Sequence, residues 1–398
     1  MTGTTTPAVG TTRRWLMLAV STAAQAASAV VVHGPAFLIP VLHRREGLSL
    51  PLAGLVAAAP MIGVLLTLVV WGVVVDRRGE RFALLTGLTG TTAAAAVAAA
   101  GDSPLWWFVW LLVAGAFAAS TNAASGRVVV GWFPAHRRGT AMGIRQMAQP
   151  LGVGIAAVSL AVTADRAGVR AALAVPAVVA ALALAATLAV VVDPPRPARS
   201  AAHAANPYAA DRFLARVHLV SVLLVVPQFV VWTYALAWLV SDRGWSAGAA
   251  GTLVALAQLM GAAGRIAAGA LSDRVGSRMR PLRWVAVTVV VTMLALGAAA
   301  GAGWPVAVVL LVVATGLTVA DNGLAFTAVA ERAGAYWSGR ALGIQNTGQF
   351  LAAACVPPVA GVLVARRGYA VTFASAAVFA AAAVPLVPRD RDLSATRP

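Results

Sequence analysis

Twelve apolar runs, each about twenty residues long or longer, leave this chain almost no way to fold in water. They fall at roughly 15–42, 52–75, 82–100, 104–130, 140–164, 169–192, 213–240, 247–271, 284–302, 304–329, 339–365 and 369–387, between charged or Pro/Gly breaks. With 60% of its 398 residues hydrophobic and 11% charged, the chain lacks the water-facing shell of a soluble domain, where about 25% of residues are charged. The solvent must therefore be lipid. That argues against a cytosolic enzyme, a disulfide-built secreted domain and a disordered chain. The runs do not alternate apolar and polar residues as barrel strands do, and their many alanines suit close helix packing. The expected fold is all-α: an integral membrane protein with twelve transmembrane helices.

The net charge of +17 comes from basic residues that are all Arg, with no Lys. They form no continuous basic stripe but cluster between the apolar runs, which argues against a nucleic-acid partner. If the amino terminus is cytoplasmic, the tails and even-numbered loops hold twenty Arg, among them Arg13, Arg77, Arg137, Arg280 and Arg389. The other side holds seven: Arg44, Arg45, Arg166, Arg170, Arg243, Arg366 and Arg367. The positive-inside rule then puts both termini in the cytoplasm, as expected for a multi-pass protein of a bacterial cytoplasmic membrane. The first apolar run starts at Trp15 and is far too long for a signal peptide. Cys355 is the only cysteine, so no internal disulfide can form. The longest polar connection, 193–212, reads as a cytoplasmic linker between an amino-terminal bundle, 1–192, and a carboxy-terminal bundle, 213–398.

The two halves repeat. Gly72-Val-Val-Val-Asp76-Arg77-Arg78-Gly79-Glu80-Arg81 closes the second run, and Gly269-Ala-Leu-Ser-Asp273-Arg274-Val275-Gly276-Ser277-Arg278 closes the eighth, 197 residues later. The same offset pairs Gly47, Ser49 and Gly54 with Gly244, Ser246 and Gly251. An offset of 200 pairs Gly139, Gly143 and Ile144 with Gly339, Gly343 and Ile344, and Asn122 and Gln149 with Asn322 and Gln349. Two such registers across the chain point to duplicated six-helix bundles. In this the sequence resembles the major facilitator superfamily, whose signature loop G-x-x-x-D-R-x-G-x-R it carries twice. Glu80 stands in the first copy where a basic residue is common. The resemblance implies a secondary transporter working by rocker-switch alternating access, with spans one, four, seven and ten lining the path. Read physically, Gly72 and Gly269 allow close helix approach, and the motif's Asp and Arg can make charge-assisted bonds that latch one access state. Headgroup anchoring is the alternative for Arg77, Arg78 and Arg274.

Of the thirteen acidic residues, only Asp321 falls near the middle of a run. An ionisable group there is costly and marks function by default. Asp321 is the candidate for proton coupling, or else a structural partner for a basic residue such as Arg127 or Arg265. Three Arg also lie inside runs. Arg127, near the cytoplasmic end of span four, and Arg145, early in span five, read as gate or headgroup residues. Arg265 stands eight residues before Asp273, about 12 Å along a helix. This placement resembles the monocarboxylate, oxalate/formate and nitrate/nitrite branches of the superfamily, in which an arginine on this span contacts the anion. A guanidinium fork suits carboxylate or nitrate oxygens, though a structural pair or snorkelling would also place an Arg here. His33, Asn122, Gln149, Gln228, Trp232, Tyr234, Asn322, Gln345 and Gln349 are softer candidates for substrate contact, with helix joining as the alternative. Trp106, Trp107 and Trp110 fit an interfacial belt.

No metal-ligand cluster, cofactor motif or phosphate-binding loop is recognisable, and an enzyme is not expected. The leading expectation is a monomeric proton-coupled symporter of a small, monocarboxylate-like anion, with lipid, substrate and protons as its partners. The alternative is a proton-coupled efflux antiporter for drugs or metabolites. Against it, Gln149-Pro150-Leu151-Gly152 departs from the glycine-flanked G-P pair usual in span five of such antiporters.

Overall fold

A computed structural model describes residues 10–195 and 205–389. The middle of the expected linker lies outside the described residues, as do Arg196, Arg199, Arg391 and Arg397 from the charge count. Among the described residues there is no strand, and ten helical stretches are long and apolar enough to cross a membrane. Two of the ten, Ala135–Val190 and Ser338–Leu386, each contain one glycine with non-helical backbone: Gly168 (φ 83°, ψ 176°) and Gly368 (φ 78°, ψ 174°). Positive φ of this kind is open to glycine and strained for other residues. Each glycine turns one stretch into two, so ten stretches make twelve spans. Spans five and six flank Gly168; spans eleven and twelve flank Gly368. The others are Thr11–Arg44, Pro51–Arg78, Glu80–Ala100, Pro104–Trp132, Phe213–Ser241, Gly248–Val275, Met279–Gly301 and Val306–Ala333.

The sequence repeat reappears as repeated backbone. Gly47 and Gly244 both take φ 70°. Two residues on, Ser49 accepts from the Leu52 N–H and Ser246 from the Ala249 N–H, so the same serine caps the second and eighth spans. One asymmetry matters for the site. Span four runs unbroken, Pro104–Trp132, whereas span ten is two helices, Val306–Leu317 and Asp321–Ala333, joined by a turn at 318–320.

The chain forms two compact units. The first comprises Met1–Phe133, Met147–Ala205 and Ala333–Ile344; the second comprises Pro134–Gln146, Asn206–Arg332 and Gln345–Pro398. They differ from the sequence halves by exchanging two short segments, 134–146 and 333–344. The core of the first unit gathers Leu38, Leu42, Trp107, Leu111, Leu160 and Leu173. Trp107 thus corrects the belt reading. It is 1% exposed, while its neighbour Trp106 is 38% exposed, because successive helical residues point about 100° apart. In the second unit, Trp238 and Phe373 meet edge to face at 5.7 Å.

Side chains assigned to the same side of the membrane by the Arg count also meet one another. Arg45 pairs with Asp165 at 2.7 Å, and Arg170 donates to the carbonyls of Ala99 and Ala100. On the Arg-rich side Arg81 donates to Val191 O and Leu188 O, and Arg332 pairs with Asp211.

Candidate functional site

Each signature loop carries a carboxylate that grips the start of another helix. In the first unit Asp76 accepts from the backbone N–H of Gly339 (2.8 Å) and Arg340 (3.0 Å), and from Arg340 Nε (2.9 Å). These amides open the helix that begins at Ser338, where backbone donors lack helical partners and the dipole favours a negative charge. The helices come this close because Gly72 has no side chain; a Cβ there would lie 2.5 Å from the Gly339 carbonyl oxygen. Arg127 stands behind the carboxylate, 3.6 Å from Asp76, and bonds Glu80 and the Ala335 carbonyl. It is buried, which does not fit a headgroup anchor. Glu80, the residue at which the first loop departs from the superfamily pattern, is its partner.

The second unit repeats the grip. Asp273 accepts from the N–H of Gly139 (2.9 Å) and of Thr140 (2.8 Å), and from Thr140 Oγ1 (2.8 Å). A Cβ at Gly269 would lie 2.2 Å from the Gly139 carbonyl oxygen. These two grips are why 333–344 belongs with the first unit and 134–146 with the second. Arg278 ties this corner together, bonding Asp273, Ser272 and the Ala135 carbonyl, each at 2.6 Å, and Glu331 at 3.2 Å. Burial works against its charge, yet Glu331 and Asp273 outweigh burial and hold its pKa above the usual guanidinium value. The other motif arginines do different things. Arg81 closes carbonyls at the end of span six, while Arg77 and Arg274 are exposed and take no part in either grip. Each follows its Asp by one residue, which turns it to another face of the helix. Gly79 (φ 101°) and Gly276 (φ 66°) end the motif helices.

Deeper polar side chains pair within each unit. In the first, Gln25 donates to Asn122 (3.2 Å) and accepts from Ser125 (2.9 Å). In the second, Asn322 donates to Gln228 (3.1 Å), and Gln349 donates to Asn322 (2.9 Å) and Ser221 (3.0 Å). Gln345 also donates to Ser221 and meets His218 Nδ1, whose Nε2 lies 2.9 Å from the Tyr208 hydroxyl. Asn122, Gln228, Asn322, Gln345 and Gln349 are therefore placed in networks that join helices. His218 and Ser221 were not legible as members; a His near the start of span seven looks like any interfacial residue. Tyr234 donates to the Pro357 carbonyl. The His33 and Gln149 side chains are half-buried and hydrogen-bond to no described residue. Arg145 is fully buried, bonds Gln146 Oε1 (3.0 Å), and lies 5.6 Å from the Phe326 ring.

The second unit also holds a cluster of unused polar atoms. Arg265, 3% exposed, donates through Nη1 to the Gln146 carbonyl (2.8 Å) and sits 6.0 Å from the Trp232 ring centroid. Its Nε is buried without a partner, as are Trp232 Nε1 and Asp321 Oδ2. Asp321, 1% exposed, is the first residue of the second half of span ten. It is within coulombic reach of Arg265, yet no ion pair joins the two among the described residues. Segment 134–146 packs tightly beside them, since a Cβ at Gly143 would lie 2.6 Å from the Arg265 carbonyl oxygen. Buried polar atoms without partners are rare and costly in folded proteins. Here two N–H donors and one carboxylate oxygen remain available to a bound molecule or a proton.

Twelve helical spans in two repeated units, paired carboxylate grips and buried polar atoms at span depth define a membrane transporter. The chain belongs to the Major Facilitator Superfamily, whose sequence pattern matches residues 14–354 and again 217–397. It is 46% identical over 382 residues to the uncharacterized MFS-type transporter Rv2994 of Mycobacterium tuberculosis H37Rv, a match covering 95% of this chain and 86% of that protein. The fold is shared with the proton:xylose symporter XylE (TM-score 0.77, 17% identity, 96% of this chain and 97% of that one). It is shared too with the human organic anion transporter MFSD10 (TM-score 0.70, 18% identity, 94% and 99%). The protein is a multi-pass membrane transporter and not an enzyme.

Proposed function

We propose that this transporter is a proton-coupled symporter of a small organic anion, monocarboxylate-like in charge and size, held by Arg265 and Trp232 and coupled through Asp321. The observation that carries the reading is the set of three buried, partnerless atoms: Arg265 Nε, Trp232 Nε1 and Asp321 Oδ2. A carboxylate substrate offers the two acceptor oxygens that a guanidinium and an indole N–H can share. An ionised Asp321 near such a site repels the substrate, and a proton on it removes the repulsion. By linkage, anion and proton then favour each other's binding, which is the thermodynamic requirement for symport. The break in span ten supports the same reading, since discontinuous helices commonly form the sites of secondary transporters. Two structural relatives, described as a proton:xylose symporter and an organic anion transporter, lend support to the two halves of the reading.

Alternating access would move the anion past the two grips. Asp76 and Asp273 hold helix starts in one state and release them in the other, a discrete two-state exchange. The Arg distribution supports a cytoplasmic membrane location with both termini inside. The test is uptake of radiolabelled lactate, pyruvate, formate and a cationic dye by proteoliposomes carrying a pH-sensitive lumenal probe. Anion uptake accompanied by lumenal acidification is expected. Dye transport with no anion uptake would instead select the efflux reading.

A further inference from the structure

In an α-helix the carbonyl of residue 146 accepts from the N–H of residue 150, and residue 150 of this chain is a proline, which has no N–H. The helix Ala135–Arg145 accordingly stops, Gln146 and Met147 form a turn, and helix resumes at Ala148. One residue on, the ladder is whole again: the Leu151 N–H reaches Met147 O at 3.1 Å. Pro150 thus deprives the Gln146 carbonyl of its helical donor. Inside a span, a carbonyl left without any donor is costly.

Arg265 supplies the missing donor. The two residues belong to the same unit, and Arg265 Nη1 donates to Gln146 O at 2.8 Å. Gly143 permits the approach, since a Cβ there would lie 2.6 Å from the Arg265 carbonyl oxygen. The kind of acceptor matters. A carboxylate in this place would neutralise the guanidinium, whereas a carbonyl dipole holds it and leaves its charge in place. The contact also occupies only one nitrogen. Nε is buried without a partner, and the Nε–Nη2 edge, which suits two carboxylate oxygens side by side, stays clear of the docked carbonyl. Fixing one end of a long side chain in advance removes rotamers that a bound anion would otherwise have to freeze out.

Resting on the anion-binding reading of Arg265 above, we propose that Pro150 is a positioning residue for the substrate. By denying Gln146 O its helical donor, it provides the carbonyl that orients the Arg265 fork toward the anion.

Isothermal titration of the purified full-length protein in detergent with lactate, pyruvate and formate tests this, with thermal unfolding measured beside it. Pro150→Ala returns an N–H to the helix, and that N–H competes with Arg265 for Gln146 O. Because alanine suits a helix interior better than proline, the variant should unfold at the same temperature or higher. It should nonetheless bind the anion about threefold or more weakly, having lost the preset guanidinium. Pro150→Gly restores the N–H without alanine's helix propensity and should weaken binding likewise. Arg265→Ala should weaken binding about ten- to a hundredfold. Adding Pro150→Ala to it should weaken binding no further, because the carbonyl then has nothing to orient. A proline that only bends span five would lower affinity equally with Arg265 present or absent. Unchanged affinity in both Pro150 variants, or full additivity with Arg265→Ala, overturns the positioning role and leaves the anion site standing. Wild-type affinity in Arg265→Ala, or no anion bound by the wild-type protein, overturns the anion site and the positioning role with it.

Discussion

Asp76 and Arg340, 264 residues apart in sequence, meet through two hydrogen bonds: the carboxylate accepts from both the backbone N–H and the Nε of Arg340, at 3.0 and 2.9 Å. One side chain thereby caps a helix start and pairs a charge. Its counterpart Asp273 grips Gly139 and Thr140 in the same way but finds its arginine, Arg278, five residues along its own strand of chain. The two grips are related by the internal repeat, and the cations that serve them are not.

Removing either carboxylate leaves helix-start amides without an acceptor. At Asp76 it also leaves Arg127 with one acid fewer in a buried cluster. Asp76→Ala should therefore lower stability by about 3–5 kcal/mol, the range for breaking a buried ion pair. Asp76→Asn, which keeps one acceptor oxygen, should lose less. Thermal unfolding in detergent ranks the variants, and equal stability of Asp76→Ala and wild type would contradict the grip.

Gly72 and Gly269 are required by backbone contact, not by flexible side chains. A methyl group at either would meet a carbonyl oxygen at 2.5 or 2.2 Å, so the helices must move apart. Gly72→Ala and Gly269→Ala should each cost about 1–3 kcal/mol, as overpacking does. Gly154, with no atom within 4 Å of an added Cβ, is the control. Gly154→Ala should be neutral or mildly stabilising, and similar losses at all three positions would refute the close-approach argument.

Glu80 and Arg127 form a pair in which neither side chain is more than 5% exposed. Arg127→Gln removes the cation from beside a buried acid and should be the worse single change. The double variant Glu80→Gln/Arg127→Gln should recover part of that loss, giving a coupling of about 0.5–3 kcal/mol in a double-mutant cycle. Strict additivity of the two losses would show that the pair is incidental.

The spans and the repeat were legible because lipid imposes length and apolarity on every helix, and duplication leaves matched glycines such as Gly47 and Gly244. The positions of Asp321 and Arg265 were legible for a similar reason: a charge inside an apolar run stands out. The exchange of segments 134–146 and 333–344 was not, since it depends on what Asp76 and Asp273 touch across the fold. Glu80 stands out in the sequence as a departure from the motif, and Arg127 as a charge near a span end. Their pairing across 47 residues needed the packing of spans three and four. The break in span ten escaped as well, because Thr318-Val319-Ala320 contains no Gly or Pro to announce it.

Arg265 and Asp321 give separable variants. Arg265→Ala should weaken anion binding about ten- to a hundredfold by removing a charge-assisted contact worth about 1.5–3 kcal/mol. Arg265→Lys should restore it only in part, because an ammonium lacks the fork. Isothermal titration with the best substrate reads this directly, and wild-type affinity in folded Arg265→Ala protein would remove the residue from the site.

The central claim is that Asp321 carries the coupled proton, and Asp321→Asn, which imitates the protonated carboxyl permanently, tests it most directly. The measurement compares pH-gradient-driven accumulation of the labelled anion with substrate-for-substrate exchange at equal pH, in proteoliposomes holding wild-type or variant protein. Accumulation should vanish in the variant while exchange persists. Accumulation that follows the pH gradient as steeply in Asp321→Asn as in the wild type would contradict the account.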